Sequence, residues 1–188
     1  GILYYFDPYE EEPVQLEEAA AKALGRYNRA MGNDGRVMKV EAWEEDELLY
    51  VEYPEVQPSE HAGVLENHRV EYSGVAARVV APPRSTERGF LKLRSFYDAR
   101  GQLERSEDTC YLSDPRQAHK VMYRNAEGSL EKIFEYEYDS RGLCILEKEY
   151  DGDGRTVEHV EVEYDDDGNE YLRREIYADG TSFTTETA

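Results

Sequence analysis

The sequence predicts a mainly β fold of the α+β class: an antiparallel β-meander of repeated hairpins, preceded by one N-terminal amphipathic helix. Three observations carry the prediction. Turn sequences built on Tyr-Asp and Gly recur along the second half of the chain. Between those turns, apolar and charged residues alternate with period two, as on a strand with unlike faces. Only one stretch, near the N-terminus, spaces its apolar residues by three or four, as a helix lying on a sheet does.

Taken in order, Ile2 to Phe6 reads as a short strand ended by Asp7-Pro8. Pro13 is tolerated in a first helical turn, and Glu17 and Glu18 suit the dipole there. Leu16, Ala20, Ala23, Tyr27 and Ala30 form a helical stripe, so a helix is expected over residues 14–31, stopped by Gly32-Asn33-Asp34-Gly35. Arg36 to Trp43 and Leu48 to Tyr53 read as a hairpin around the acidic tip Glu44-Glu45-Asp46-Glu47. Val56 to Asn67, with Pro58 and Gly63, reads as a loop. His68 to Tyr72 and Ala76 to Val80 read as a second strand pair around Ser73-Gly74. Pro82-Pro83 cannot continue a central strand, which places the boundary between two regions, 1–83 and 84–188.

Beyond the prolines the repeat begins. Tyr97-Asp98, Tyr138-Asp139, Tyr150-Asp151 and Tyr164-Asp165 each lead into a glycine three residues after the Asp. Gly128, Gly142, Gly154, Gly168 and Gly180 follow one another at alternating steps of 14 and 12 residues, room for a turn and a strand of ordinary length. Asp bonds its own backbone in turns and Gly supplies positive φ. Phe134, Tyr136 and Tyr138 share a face with Leu130, opposite Glu131, Glu135, Glu137 and Ile133; Val160, Val162 and Tyr164 oppose Glu161 and Glu163. Such alternation implies one buried and one wet face. The wet face is expected to carry Glu131, Glu135, Glu137, Glu147, Glu149, Glu161 and Glu163, a stripe of like charges that costs stability.

Charge narrows the classes of function. The 188 residues hold 42 Asp and Glu against 22 Lys and Arg, a net charge of −20. Such a surface repels nucleic acid and anionic membranes and attracts basic partners, although it also serves solubility alone. The 16 tyrosines against 5 phenylalanines suit half-buried strand faces. No apolar run is long enough to span a membrane and no signal peptide is visible, so the expected compartment is the cytoplasm. Cys110 and Cys144 form no CxxC pair.

Enzyme signatures are absent: there is no GxSxG, HExxH, P-loop or GxGxxG. His61, His68, His119 and His159 are scattered and none is spaced for zinc. Asp151-Gly152-Asp153-Gly154 and Asp165-Asp166-Asp167-Gly168 lack the EF-hand spacing and are explained by turn chemistry. Neither a cofactor nor a catalytic role is expected. Trp43, the one tryptophan, is read as a core anchor, with an interface role as the alternative.

The run Tyr136-Glu137-Tyr138-Asp139-Ser140-Arg141-Gly142-Leu143 resembles the YxYDxxGxL signature of YD repeats, the units of Rhs proteins, and a looser copy spans Val162 to Gly168. The resemblance covers residues 90–181. Small acidic proteins encoded beside Rhs-type and type VI polymorphic toxins are immunity proteins, and several are hairpin arrays. The resemblance therefore implies an antitoxin that binds a cognate, basic toxin domain in the bacterial cytoplasm and occludes its active site. The residues expected to make the contact are Glu135, Glu137, Glu147, Glu149, Glu161 and Glu163, with Asp165 and Asp166 at the rim. A structural YD-repeat module and an acidic nucleic-acid mimic or chaperone for basic proteins are the alternatives. The N-terminal helix and the weak strand after Ser182 favour a complete small protein over a shell fragment.

Overall fold

In the computed structural model, residues 1–7 and 13–187 are described. Pro8, expected to help end the first strand, lies outside them. The elements are β1 Ile2–Tyr5, β2 Gln15–Leu16, α1 Glu18–Ala23, β3 Arg26–Asn33, β4 Arg36–Glu44, β5 Glu47–Tyr53, α2 His61–Glu71, β6 Ala76–Val80, β7 Arg84–Ser85 and β8 Gly89–Tyr97, followed by seven consecutive strands. These are β9 Leu103–Leu112, β10 Ala118–Asn125, β11 Leu130–Tyr138, β12 Cys144–Asp151, β13 Thr156–Tyr164, β14 Glu170–Tyr177 and β15 Ser182–Glu186. The strand order is β15-β14-β13-β12-β11-β10-β9-β8-β6-β5-β4-β3-β1-β2, with β7 beside β8. Pairing is antiparallel in every described register except β5 with β6, which is parallel. The mainly antiparallel meander is therefore present.

The helix content differs from the expectation. The single helix over 14–31 is replaced by α1, six residues long, and by strand β3. Gly25, at φ +71°, ends the helix after Leu24. Tyr27 and Ala30 are both buried, but on opposite faces of a strand buried on each side, so their spacing imitates a helical stripe. A second helix, α2, occupies the segment read as a loop and a strand. It supplies the crossover that a parallel β5–β6 pair requires. Val64, Leu65 and Tyr72 on or beside it pack against Val51, Tyr53, Val56, Ala77 and Val79. The stripe was hidden by Gly63, by polar His68, and by Val70, which points outward at 84% exposure.

The chain divides into two compact units, Gly1–Pro82 with Arg94–Glu104 and Pro83–Leu93 with Arg105–Ala188. The first has a conventional core with buried polar groups in it. Glu41, 4% exposed, accepts from Tyr72 Oη at 2.7 Å and Trp43 Nε1 at 2.9 Å, with Arg29 at 3.6 Å. His68 donates Nε2–H to the Val75 carbonyl and accepts from Tyr53 Oη at Nδ1. Burial together with the Glu41 carboxylate pushes the Tyr72 hydroxyl pKa far up. Trp43, half-buried, joins this network through its indole N–H.

The second unit is built differently. Its described residues form strands and turns with no helix. Within β9–β15 only Thr109, Val121 and Val162 are buried; nearly all other strand residues are half-buried or exposed on both faces. The expected division into one buried and one wet face is thus replaced by a sheet open on both sides. Its order comes from the turns. Asn125, Asp139, Asp151 and Asp165 each accept, at one side-chain oxygen, the backbone N–H groups two and four residues on, as Asp98 does in the first unit. The glycines three residues after them all have φ near +80° and donate N–H back to the Asp or Asn carbonyl. Register shifts fall beside Tyr123, Tyr138, Tyr150 and Tyr164, so the four hairpins from β10–β11 to β13–β14 each carry a bulge at the tyrosine. Tyr138 Oη donates to the Ala118 carbonyl and Tyr164 Oη to the Cys144 carbonyl, each pinning the last residue of a strand to the start of the preceding one.

Candidate partner-binding sheet

Cross-strand partners share a face, so the register assigns every side chain of the open sheet. On one face, Thr109, Val121, Phe134, Glu149, Glu158 and Tyr177 form one row. The adjacent row is Tyr136, Glu147, Val160, Glu175 and Phe183. On the other face, Cys110, Lys120, Glu135, Lys148, His159 and Ile176 form a row, beside Glu137, Leu146, Glu161 and Arg174.

The residues expected to form one acidic face are therefore divided. Glu135, Glu137, Glu161 and Glu163 lie on one side, Glu147 and Glu149 on the other. The cause lies in β12, where Leu146, Lys148 and Tyr150 take the positions that face Glu137, Glu135 and Ile133. Asp165 and Asp166 lie in the β13–β14 turn. Asp165 is occupied as a turn acceptor: N–H groups of Asp167 and Asn169 and the Asn169 amide bond it, and they hold its carboxyl below the ordinary value.

The two faces differ in electrostatics more than in hydrophobicity. On the face of Glu135, two of the acids stand beside bases. Glu135 stands between Lys120 and Lys148. Glu161 accepts from Arg174 at 2.9 Å and contacts His159 at 3.2 Å, and both lower its pKa. Glu163 accepts from Tyr171 Oη.

On the face of Glu147, like charges meet. Glu149 and Glu158 are direct cross-strand partners, an arrangement that costs stability. Lys132 answers Glu149 at 2.8 Å. Glu147 is pushed up by burial first and then by Glu158 and Glu149, against a weaker pull from Arg173. Aromatic rings flank this cluster. Phe134 lies 5.9 Å from Tyr123 edge to face and 6.2 Å from Tyr136 in a stacked pair. An uncovered face that combines aromatic rings with under-neutralised carboxylates suits a partner's lysine or arginine, whose stem packs on rings while its head meets the acids. Glu158 was not among the expected contact residues, and Phe134 and Tyr136 were expected on the face opposite the glutamates rather than beside Glu147 and Glu149. The signal was present in the alternation Leu146-Glu147-Lys148-Glu149-Tyr150, read outward from its flanking turns.

Among the described residues, no group of three or more His, Cys, Asp or Glu side chains is placed to hold a metal ion. No described helix is long and apolar enough to cross a membrane.

No protein-family model matches the chain, and no curated protein does. Among solved structures it is similar to the GtfA/B complex bound to UDP and GlcNAc, at 14% identity over 56% of this chain with a TM-score of 0.26. It is also similar to TarM, at 9% identity over 65% of this chain with a TM-score of 0.28. The chain spans 24% of the length of each. At these scores neither likeness bears on function.

Proposed function

We propose that this chain is a stoichiometric protein-binding module, an immunity protein that neutralises a cognate bacterial toxin in the cytoplasm by covering its active site. The observation that supports the reading is the open sheet face of Glu147, Glu149 and Glu158 set among Phe134, Tyr136 and Val160. Its chemistry complements a basic toxin domain: aromatic anchors supply contact area, and carboxylates already crowded together gain from the partner's cations. The YD-like turns account for the rigidity such a platform needs, since each is fixed by side-chain bonds to its own backbone. The role is binding rather than catalysis, and it requires no cofactor.

The reading predicts a polymorphic toxin domain encoded beside its gene and is tested by co-expression of the two. Growth is expected to be restored, and the two chains are expected to co-elute as one complex. Growth arrest with both chains produced at equal levels contradicts the proposal.

A further inference from the structure

The first unit carries a feature that the docking sheet does not use. On the sheet face opposite Val51 and Ala77, Asn28, Ala42 and Tyr50 form one register row and Val40, Glu52, Arg78 and Phe96 the next. Asp7, Arg26, Tyr50, Glu52, Arg78 and Arg94 line a concavity of about 400 Å³ there. That volume lies within the range of roughly 300–1,000 Å³ typical of small-molecule sites.

Three arginines against two carboxylates, Asp7 and Glu52, in one concavity run against the composition of a chain with 42 acidic and 22 basic residues. Arg94 lies 3.8 Å from the buried Glu52 carboxylate. Arg26 and Arg78 have no ion pair among the described residues. The Arg78 guanidinium stacks 3.5 Å from the Tyr50 ring centroid, with Phe96 at 5.0 Å. Stacking occupies its faces and leaves its in-plane N–H donors for an acceptor, the geometry that suits a planar fork to an oxyanion.

We propose that this concavity binds a small organic phosphate. Arg78 and Arg26 donate to the phosphate oxygens, Tyr50 holds Arg78 in plane, and Glu52 is kept from repelling the ligand by Arg94. Phosphate is favoured over carboxylate because its three terminal oxygens engage donors from more than one guanidinium. A compact ligand is favoured over a polyanion, because charges beyond about 8–10 Å are screened whereas an extended chain would lie along the acidic surface. The proposal is independent of the toxin reading.

Binding is read by isothermal titration calorimetry. Titration with ribose 5-phosphate is expected to give a saturable change in heat, and ribose none. Loss of one charge-assisted hydrogen bond predicts binding weaker by about tenfold or more in Arg78→Met and in Arg26→Met. Circular dichroism checks that each variant is folded; Arg26 is exposed, so its variant decides the matter if Arg78→Met misfolds. No saturable change up to ~10 mM ribose 5-phosphate overturns the proposal, as does an equal titration by citrate or unaltered affinity in the folded variants.

Discussion

At Glu147, stability and the proposed binding pull in opposite directions. Its carboxyl is held above the ordinary value of 4.5 by burial and by Glu158 and Glu149. The folded chain therefore keeps this proton to higher pH than the unfolded chain does, and its ionisation works against the fold as pH rises from 4.5 through the raised value. Glu147→Gln is expected to raise the melting temperature at neutral pH, with the gain vanishing once the pH falls below 4.5. The same variant is expected to weaken partner binding, since it removes a charge that a cation would neutralise. Thermal melts across pH check the first expectation; a higher melting temperature in the parent chain at neutral pH contradicts it. The turn aspartates behave oppositely. Asp139 and Asp165 are held below 3.8 by backbone N–H bonds, so the stability they contribute is present above 3.8 and is lost as pH falls through their depressed values.

At the scale of elements, the open sheet depends on close approaches at its turns. A Cβ on Gly152 would stand 2.1 Å from the Leu130 carbonyl oxygen, so Gly152→Ala forces the β12–β13 turn away from the start of β11. The cost is expected to be about 1–3 kcal/mol, measured by denaturant unfolding; a change below the error of that measurement contradicts the register. The hairpins of the second unit were legible in the sequence because their signal is local: Asp and Gly fix each turn whatever lies beyond it. Two features were not local and were lost. Tyr27 and Ala30 imitate a helical stripe because tertiary burial covers both faces of β3, and α2 hides its apolar face behind Gly63 and His68. The candidate site suffered in the same way. Glu135 and Glu161 were placed together correctly by alternation within their strands. Glu147 and Glu149 were not, because the face of β12 is set by the bulges at Tyr138 and Tyr150, each of which shifts the pairing by a residue.

For the whole molecule, a net charge of −20 makes association sensitive to ionic strength. The association rate with a basic toxin domain is expected to fall by about tenfold or more between low and physiological salt, while dissociation changes less. A salt-independent association rate would assign the contact to apolar surface alone. The charge is not spread evenly in its consequences. On the face of Glu135 and Glu161, Lys120, Lys148 and Arg174 stand beside the acids, whereas on the face of Glu147, Lys132 answers Glu149 but Glu149 and Glu158 still meet directly. The most direct measurement compares the affinity of two folded double variants for the toxin domain. Glu147→Lys with Glu149→Lys is expected to weaken binding by about a hundredfold or more, and Glu161→Lys with Glu163→Lys by only a few-fold. Equal affinities for the parent chain and the first variant, or a larger loss from the second, contradict the assignment of the interface to the face of Glu147.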